Sequence, residues 1–115
     1  MDMHEFSIAS AMLDAVLEQA GRNDAKSVAV VNVRIGALAG VVMEALEFAW
    51  QAVSDETAAA GSRLNVEHVP VTCYCAKCSR EFASRAYSYR CPDCGELSSD
   101  LRRGREMQLI SIEVN

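Results

Sequence analysis

The chain has 115 residues, half of them hydrophobic and 23 % charged, which is the composition of a soluble globular protein with one modest core. No apolar run approaches the ~20 residues that a membrane-spanning helix needs, and the acidic start MDMHE lacks the basic character of a secretory signal. The sequence therefore predicts a soluble cytoplasmic protein without a membrane partner.

The net charge of -5 is unevenly distributed. Residues 71–105 contain seven of the eleven basic residues but four of the sixteen acidic ones, so this segment is formally +3 and the remainder -8. Nucleic-acid-binding proteins usually carry a much stronger basic footprint. The distribution disfavours a nucleic-acid partner, and the acidic part suits a cation or a basic protein better.

The first predicted elements are a helix and a strand. Apolar residues at helical spacing predict the helix, with Ser7 as its N-cap and Gly21 just past its end: Ile8, Ala11, Met12, Ala15 and Val16. The valine-rich stretch from Ser27 to Gly36 predicts a strand covered on most of both faces.

A second helix and two strands follow the connection at residues 36–40. The apolar face of this helix is predicted to consist of Val42, Leu46, Ala49, Trp50 and Val53, and Gly61 marks its outer limit. Alternating patterns predict strands over residues 63–69 and 106–114, the last with Ile110, Ile112 and Val114 on one face. The predicted fold class is therefore α+β, with two helices on one face of a three-stranded sheet.

Four of the five cysteines form two C-x-x-C pairs, Cys75 with Cys78 and Cys91 with Cys94, separated by twelve residues. This spacing suits one zinc ion held tetrahedrally by four thiolates, and Gly95 can take the positive φ that the second turn needs. Four thiolates leave no open position, so the predicted zinc is structural. Two disulfides or unpaired thiols are weaker alternatives, because the cysteine count is odd, no export signal is present and unpaired thiols need no such spacing.

The cysteine module lies between two predicted strands and is therefore interpreted as a zinc-ribbon insert. The predicted domains are residues 1–70 plus 105–115 for the body and residues 71–104 for the zinc-binding module. Phe82, Tyr87 and Tyr89 are expected to pack over the cysteine turns. Cys73 and His68 are expected to be strand residues and not ligands.

The pair His4-Glu5 near the start of the chain is a second candidate metal site. An imidazole beside a carboxylate is a ligand pair for transition metals. A solvated, disordered end is the commoner explanation of such a pair, so composition alone favours that alternative.

Together these motifs resemble the HypA/HybF family of hydrogenase maturation factors, which are nickel metallochaperones. The family's motifs occur here in order: MHEFS at residues 3–7, IGAL at 35–38, a second helix over 44–53, the two C-x-x-C pairs, GREM at 104–107 and ISIEV at 110–114. Each motif is weak alone, but their order and spacing over essentially the whole chain are specific.

The resemblance implies a role for each site. It makes His4 the nickel ligand, supported by Glu5, and it makes Cys75, Cys78, Cys91 and Cys94 the zinc ligands. It further implies transported nickel, structural zinc, no enzymatic activity, and two partners: a HypB-type GTPase and a [NiFe] hydrogenase large-subunit precursor. The expected oligomeric state is a monomer or a weak homodimer.

One departure from the family affects the predicted nickel geometry. The family's histidine is the second residue, whereas here Met1-Asp2 precede Met3. If translation begins at Met3, the terminal amine can close a chelate with the imidazole and the intervening amide. If it begins at Met1, the amides of Met3 and His4 have to substitute for the amine.

Two other classes of function remain as alternatives. One is a zinc ribbon that binds nucleic acid or protein without transferring nickel. The other is a zinc hydrolase, which needs a three-ligand site with an open position and a nearby base. Neither His4 nor His68 lies at a spacing that indicates such a site.

Overall fold

The computed structural model describes residues 3–85 and 88–115. Within them the chain forms two α-helices and six strands, in two sheets of three. The elements are α1 (Met3–Arg22), β1 (Val28–Gly36), α2 (Met43–Ser54), β2 (Arg63–Val69), β3 (Thr72–Cys75), β4 (Arg80–Ala83), β5 (Asp100–Arg103) and β6 (Met107–Val114), with a 3₁₀ turn at Ala37–Ala39. This architecture confirms the α+β prediction. No helix in the described ranges is long and apolar enough to cross a membrane.

The chain divides into two compact units. The first comprises the chain up to Arg34 together with Val41–Glu67 and Gln108–Asn115, and the second comprises Ile35–Gly40 and His68–Met107. The first unit holds both helices, and the second holds all five cysteines. The last two residues of β1 and the four residues after them thus fold with the cysteine-containing segment.

Helix α1 begins four residues earlier than the predicted cap. Ser7 lies inside the helix, which starts at Met3, so the N-cap prediction is wrong and residues 3–5 form the first helical turn. The predicted apolar face is also partly wrong, because Ala11 and Ala15 are exposed. Among its described side chains, the buried residues of α1 are Glu5, Ile8, Ala9, Val16 and Ala20. Apolar periodicity does not identify this face correctly, because its first member is a glutamate.

Helix α2 packs against α1 through a face close to the predicted one. Leu46, Ala49 and Trp50 are buried, and the indole Nε1 of Trp50 donates to Ser62 Oγ at 3.0 Å. Val42 is wrong as a core residue: it occupies the N-cap position with its side chain 58 % exposed.

The first sheet has the order β2-β1-β6, so the valine-rich β1 is the central strand. Val31, Val33 and Ile35 are buried on one face of β1, as the predicted alternation requires. The last strand joins the sheet at its edge, which leaves Ile110 and Val114 nearly half exposed. His68 lies exposed on the other edge strand, β2.

The second sheet has the order β4-β3-β5, and its strands have four residues each. Its core is a small cluster of buried residues: Val71, Cys73, Cys75, Phe82 and Cys91. Tyr89 and Leu38 pack against this cluster, so the predictions for Phe82 and Tyr89 are confirmed, while Tyr87 lies outside the described residues. Cys73 is a buried strand residue paired with Phe82 and Leu101, also as predicted.

Residues 35–40 are bound to residues 104–106 within this second unit. The amide of Gly36 donates to the Glu106 carbonyl at 2.8 Å, and the amide of Leu38 donates to the Gly104 carbonyl at 2.7 Å. The approach is so close that a Cβ atom on Gly36 would lie 2.2 Å from the carbonyl carbon and oxygen of Gly104. Only glycine fits at position 36 without a shift of the backbone.

Candidate metal centres

The four paired cysteines converge into one cluster. Their sulfur atoms all lie within 4.8 Å of one another. Among the described residues, no other group of three or more His, Cys, Asp or Glu side chains comes together in this way. Cys75 ends β3, Cys78 lies in the turn to β4, and Cys91 and Cys94 lie in the loop that precedes β5. Cys73 is outside the group although it is close in sequence.

Both cysteine turns have the same backbone form. The residue directly after each pair has a positive φ: 54° at Ser79 and 74° at Gly95. In the first turn the Cys78 amide donates to Cys75 Sγ at 3.4 Å, and in the second the Gly95 amide donates to the Cys91 carbonyl at 2.9 Å. The positive φ predicted at Gly95 is confirmed, whereas nothing in the residue type of Ser79 indicates the same conformation.

The sulfur separations fit a tetrahedral zinc ion. Cys75 and Cys94 have sulfur atoms 3.5 Å apart, and those of Cys78 and Cys91 are 3.9 Å apart. A Zn–S bond of about 2.3 Å in tetrahedral geometry places the sulfurs ~3.8 Å apart. The four sulfurs therefore fit a zinc ion bound by four thiolates. Such an ion would cross-link the loops that carry the cysteines.

Close packing of the four thiols changes their acidity. The Cys94 thiol, burial and the two other thiols raise the pKa of Cys78 to about 12. By contrast, a hydrogen bond from the backbone of Cys94 lowers the pKa of Cys91. The Cys78 thiol therefore loses its proton less readily than that of Cys91, and a bound dication would favour the thiolate form of its ligands.

The second candidate centre lies in the first turn of α1. His4 is exposed, whereas Glu5 is fully buried. Neighbouring residues on a helix do not face each other, so the structure does not bring the imidazole and this carboxylate together. A disordered end, the alternative that composition alone favours, does not apply to His4-Glu5, because both residues are helical.

The Glu5 carboxylate contacts the start of α2. Its Oε2 accepts a hydrogen bond from the Val42 amide at 3.4 Å, and its Oε1 is buried with no hydrogen-bond partner among the described residues. Val42 is the N-cap of α2 and has no side-chain cap. The carboxyl group thus lies at the positive end of the α2 dipole.

The backbone of the α1 start offers additional ligands. The first four N–H groups of an α-helix have no acceptor within the helix, and in α1 these include the amides of His4 and Glu5. Nickel and copper can deprotonate such amides and bind their nitrogens together with an imidazole in planar geometry. The site therefore combines an exposed imidazole with amides that make no hydrogen bond within the helix.

Comparison with known proteins identifies the family. The family model described as "HypA: Hydrogenase/urease nickel incorporation, metallochaperone, hypA" matches residues 3–114. The chain belongs to the HypA family. Similar curated proteins include the hydrogenase maturation factor HypA of Picosynechococcus sp., which is 43 % identical over 97 % of this chain and 99 % of its own length, and that of Chloroflexus aggregans, which is 37 % identical over 96 % and 98 %.

Solved structures of the family support the fold. The chain is similar to one described as "Solution structure of HypA protein", with a TM-score of 0.71, 26 % identity and coverage of 100 % of this chain and 98 % of the other. It is also similar to the nickel metallochaperone HypA from Helicobacter pylori, with a TM-score of 0.66, 26 % identity and coverage of 96 % of both chains. The resemblance to the HypA family predicted from the motifs is therefore confirmed.

Proposed function

We propose that the protein is a nickel metallochaperone that delivers nickel for the maturation of [NiFe] hydrogenase. The observation that carries this proposal is the family match over residues 3–114, which begins at the Met3-His4-Glu5 segment and includes the cysteine cluster. The family description names nickel incorporation into hydrogenase and urease, and the curated relatives are named for hydrogenase maturation.

His4 is the proposed nickel ligand. Its imidazole is exposed in the first turn of α1, next to backbone amides that make no bonds within the helix. Nickel held there by an imidazole, amides and water is accessible to an incoming ligand from a recipient protein. Such a site suits transfer by ligand exchange, because the imidazole is exposed. Glu5 supports the site from the same turn.

The four clustered cysteines are the proposed zinc ligands. Four thiolates complete a tetrahedral shell, which leaves no position for water or substrate. Zinc therefore has a structural role in this proposal: it cross-links the loops of a unit in which the core cluster of described residues has five buried members, three of them cysteines. We accordingly assign nickel binding to residues 1–70 plus 105–115 and zinc binding to residues 71–104.

The proposed partners follow from the family's role. Nickel delivery requires a source and a recipient, which we propose to be a HypB-type GTPase and a [NiFe] hydrogenase large-subunit precursor, both in the cytoplasm. The protein itself has no proposed catalytic step. A zinc ribbon that binds protein or nucleic acid without nickel transfer is the alternative that the following experiment would expose.

Nickel titration of the zinc-loaded protein tests the proposal. Isothermal titration is expected to show a nickel site in the wild-type chain that is lost in His4→Ala, with zinc retained at one per chain. The matched control is His68→Ala, which removes the only other histidine, exposed on β2, and should leave nickel binding unchanged.

Both start forms are included, beginning at Met1 and at Met3, with intact mass to identify each. The Met3 form places a terminal amine within chelating distance of His4 and should bind nickel more tightly. Absence of nickel binding in both forms contradicts the proposed function and favours the binding-module alternative. Equal losses of nickel affinity in His4→Ala and His68→Ala would show that the nickel ligand is not specifically the histidine at the start of α1.

A further inference from the structure

We propose that Glu5 is a positioning residue: its carboxylate, held by the start of α2, orders the first turn of α1 and thereby raises the nickel affinity of His4. The proposal rests on the proposed nickel function. It assigns to Glu5 a role through the Glu5–Val42 contact, and not as a ligand of the metal.

Glu5 is fully buried at the start of α1. Its side chain has no exposed surface, while the imidazole of the preceding residue, His4, is exposed. A carboxylate buried to this extent cannot bind an ion at the surface unless it leaves its position in the helix interface. As it stands, the side chain of Glu5 points into the protein.

The buried position of the Glu5 carboxylate is unfavourable for stability. Oε2 has one long hydrogen bond to the Val42 amide, and Oε1 has no partner among the described residues. A buried carboxylate with an unpaired oxygen destabilises the fold relative to an apolar side chain of similar volume. Core stability therefore does not explain a glutamate at this place on the buried stripe.

The first turn of α1 needs a tertiary contact to stay ordered. Terminal turns of helices fray unless tertiary contacts hold them. The predicted cap, Ser7, lies inside the helix and does not occupy the N-cap position. The Glu5–Val42 contact joins this first turn to α2 across 37 residues of sequence.

The Glu5 carboxylate also affects the electrostatic potential at the start of α1. The positive ends of helix dipoles repel cations, and a carboxylate in the first turn offsets that potential. Glu5 is the acidic residue in the first turn of α1, and the same carboxylate contacts the N-cap of α2. An ionised carboxylate at this place would favour a dication at His4 even without coordination.

An ordered first turn raises affinity by a defined mechanism. If nickel binds only when His4 and its neighbouring amides are held together, the apparent affinity falls in proportion to the fraction of chains in which the turn is ordered. Loss of one long hydrogen bond is then expected to weaken nickel binding roughly five- to tenfold.

Substitution of Val42 separates this role from direct ligation. Val42→Pro removes the amide donor but retains Glu5, and the N-cap φ of -86° is close to the value that proline prefers. Val42→Ala is the matched control, because it truncates the same exposed side chain and retains the amide. We expect Val42→Pro to weaken nickel binding roughly five- to tenfold relative to Val42→Ala.

Hydrogen exchange gives a readout that does not depend on nickel. In an α-helix the amides of Ser7, Ile8 and Ala9 donate to the carbonyls of residues 3–5, so their exchange reports the first turn. These amides should exchange faster in Val42→Pro and Glu5→Ala than in Val42→Ala, with the rest of α1 unchanged. Glu5→Ala provides the same comparison if the proline variant fails to fold.

The outcomes distinguish the two proposals. Equal nickel affinity in Val42→Pro and Val42→Ala, together with weaker binding in Glu5→Ala, would make Glu5 a direct ligand and overturn the positioning role. Unchanged exchange at Ser7, Ile8 and Ala9 would overturn it as well. If the wild-type chain binds no nickel, the proposed function fails, while the exchange rates still decide whether Glu5 orders the turn.

Discussion

At the scale of single residues, the contact between Gly36 and Gly104 is the tightest constraint in the second unit. A methyl group at position 36 would meet the Gly104 backbone at 2.2 Å, and backbone cannot move aside as a flexible side chain can. Gly36→Ala should therefore destabilise the zinc-loaded protein by about 3 kcal/mol or more, as overpacking against a fixed backbone does. Denaturant unfolding measures the change.

Gly21 is the matched control for that substitution. It lies within α1, and a Cβ atom there would meet nothing within 4 Å. Gly21→Ala should stabilise the protein by about 0.5–1 kcal/mol, because alanine loses less backbone entropy in a helix. If the two variants had similar stabilities, the close approach at Gly36 would be wrong.

The residue scale also shows where sequence patterns fail. The two C-x-x-C pairs predict a cluster correctly because their spacing is local and chemically specific. Glu5 escapes the same reasoning because apolar periodicity assigns a glutamate to the solvent face of a helix. Its burial depends on a contact with Val42, which no pattern within α1 encodes.

At the scale of elements, α2 is held in the first unit by the indole of Trp50. The ring is buried, and its N–H donates to the hydroxyl of Ser62 at 3.0 Å, just before β2. Trp50→Phe should cost roughly 1.5–3 kcal/mol, because it leaves a space in the core and an unpaired Ser62 hydroxyl. Thermal and denaturant unfolding of the zinc-loaded protein measure the loss.

A control on the same helix separates this effect from a general loss of apolar surface. Phe48 is 56 % exposed, so Phe48→Leu should change stability by less than about 0.5 kcal/mol. Ser62→Ala in the Trp50→Phe background should recover part of the loss, since it removes the unpaired hydroxyl. Strictly additive effects would show that the hydrogen bond does not contribute.

Element positions are well predicted from the sequence, while element ends are not. The strands β1, β2 and β6 lie within one residue of their predicted limits, because alternation and valine content give a strong local signal. The start of α1 is missed because Ser7 has the chemistry of a cap, yet tertiary contact at Glu5 extends the helix beyond it. Local propensity is a weak guide where packing supplies the stabilisation.

At the scale of the whole molecule, the two units should respond differently to removal of zinc. The first contains both helices and the buried Trp50, whereas the core of the second includes Cys75 and Cys91 of the cysteine cluster. A strong chelator should therefore unfold the second unit and leave the helices folded. Hydrogen exchange should show lost protection over residues 68–107, with the far-ultraviolet helical signal retained.

Cysteine variants test the same point without a chelator. Cys75→Ser should lower the zinc content and reproduce the loss of protection, whereas Cys73→Ala should keep one zinc per chain because Cys73 lies outside the cluster. Cooperative unfolding of the entire chain on chelation would show that the two units are not energetically separate. Unchanged protection after zinc loss would remove its structural role.

Residues 35–40 have a consequence for protein engineering. The unit that holds the cysteines is not a single continuous stretch, since Leu38 packs on its core and Gly36 bonds to Glu106. Residues 68–107 grafted alone into another scaffold would therefore leave one side of their core uncovered. A transplantable version needs a second peptide that supplies Ile35–Gly40, either in trans or through a permuted connection. Hydrogen exchange of residues 68–107 with and without that peptide would measure how far it restores the fold.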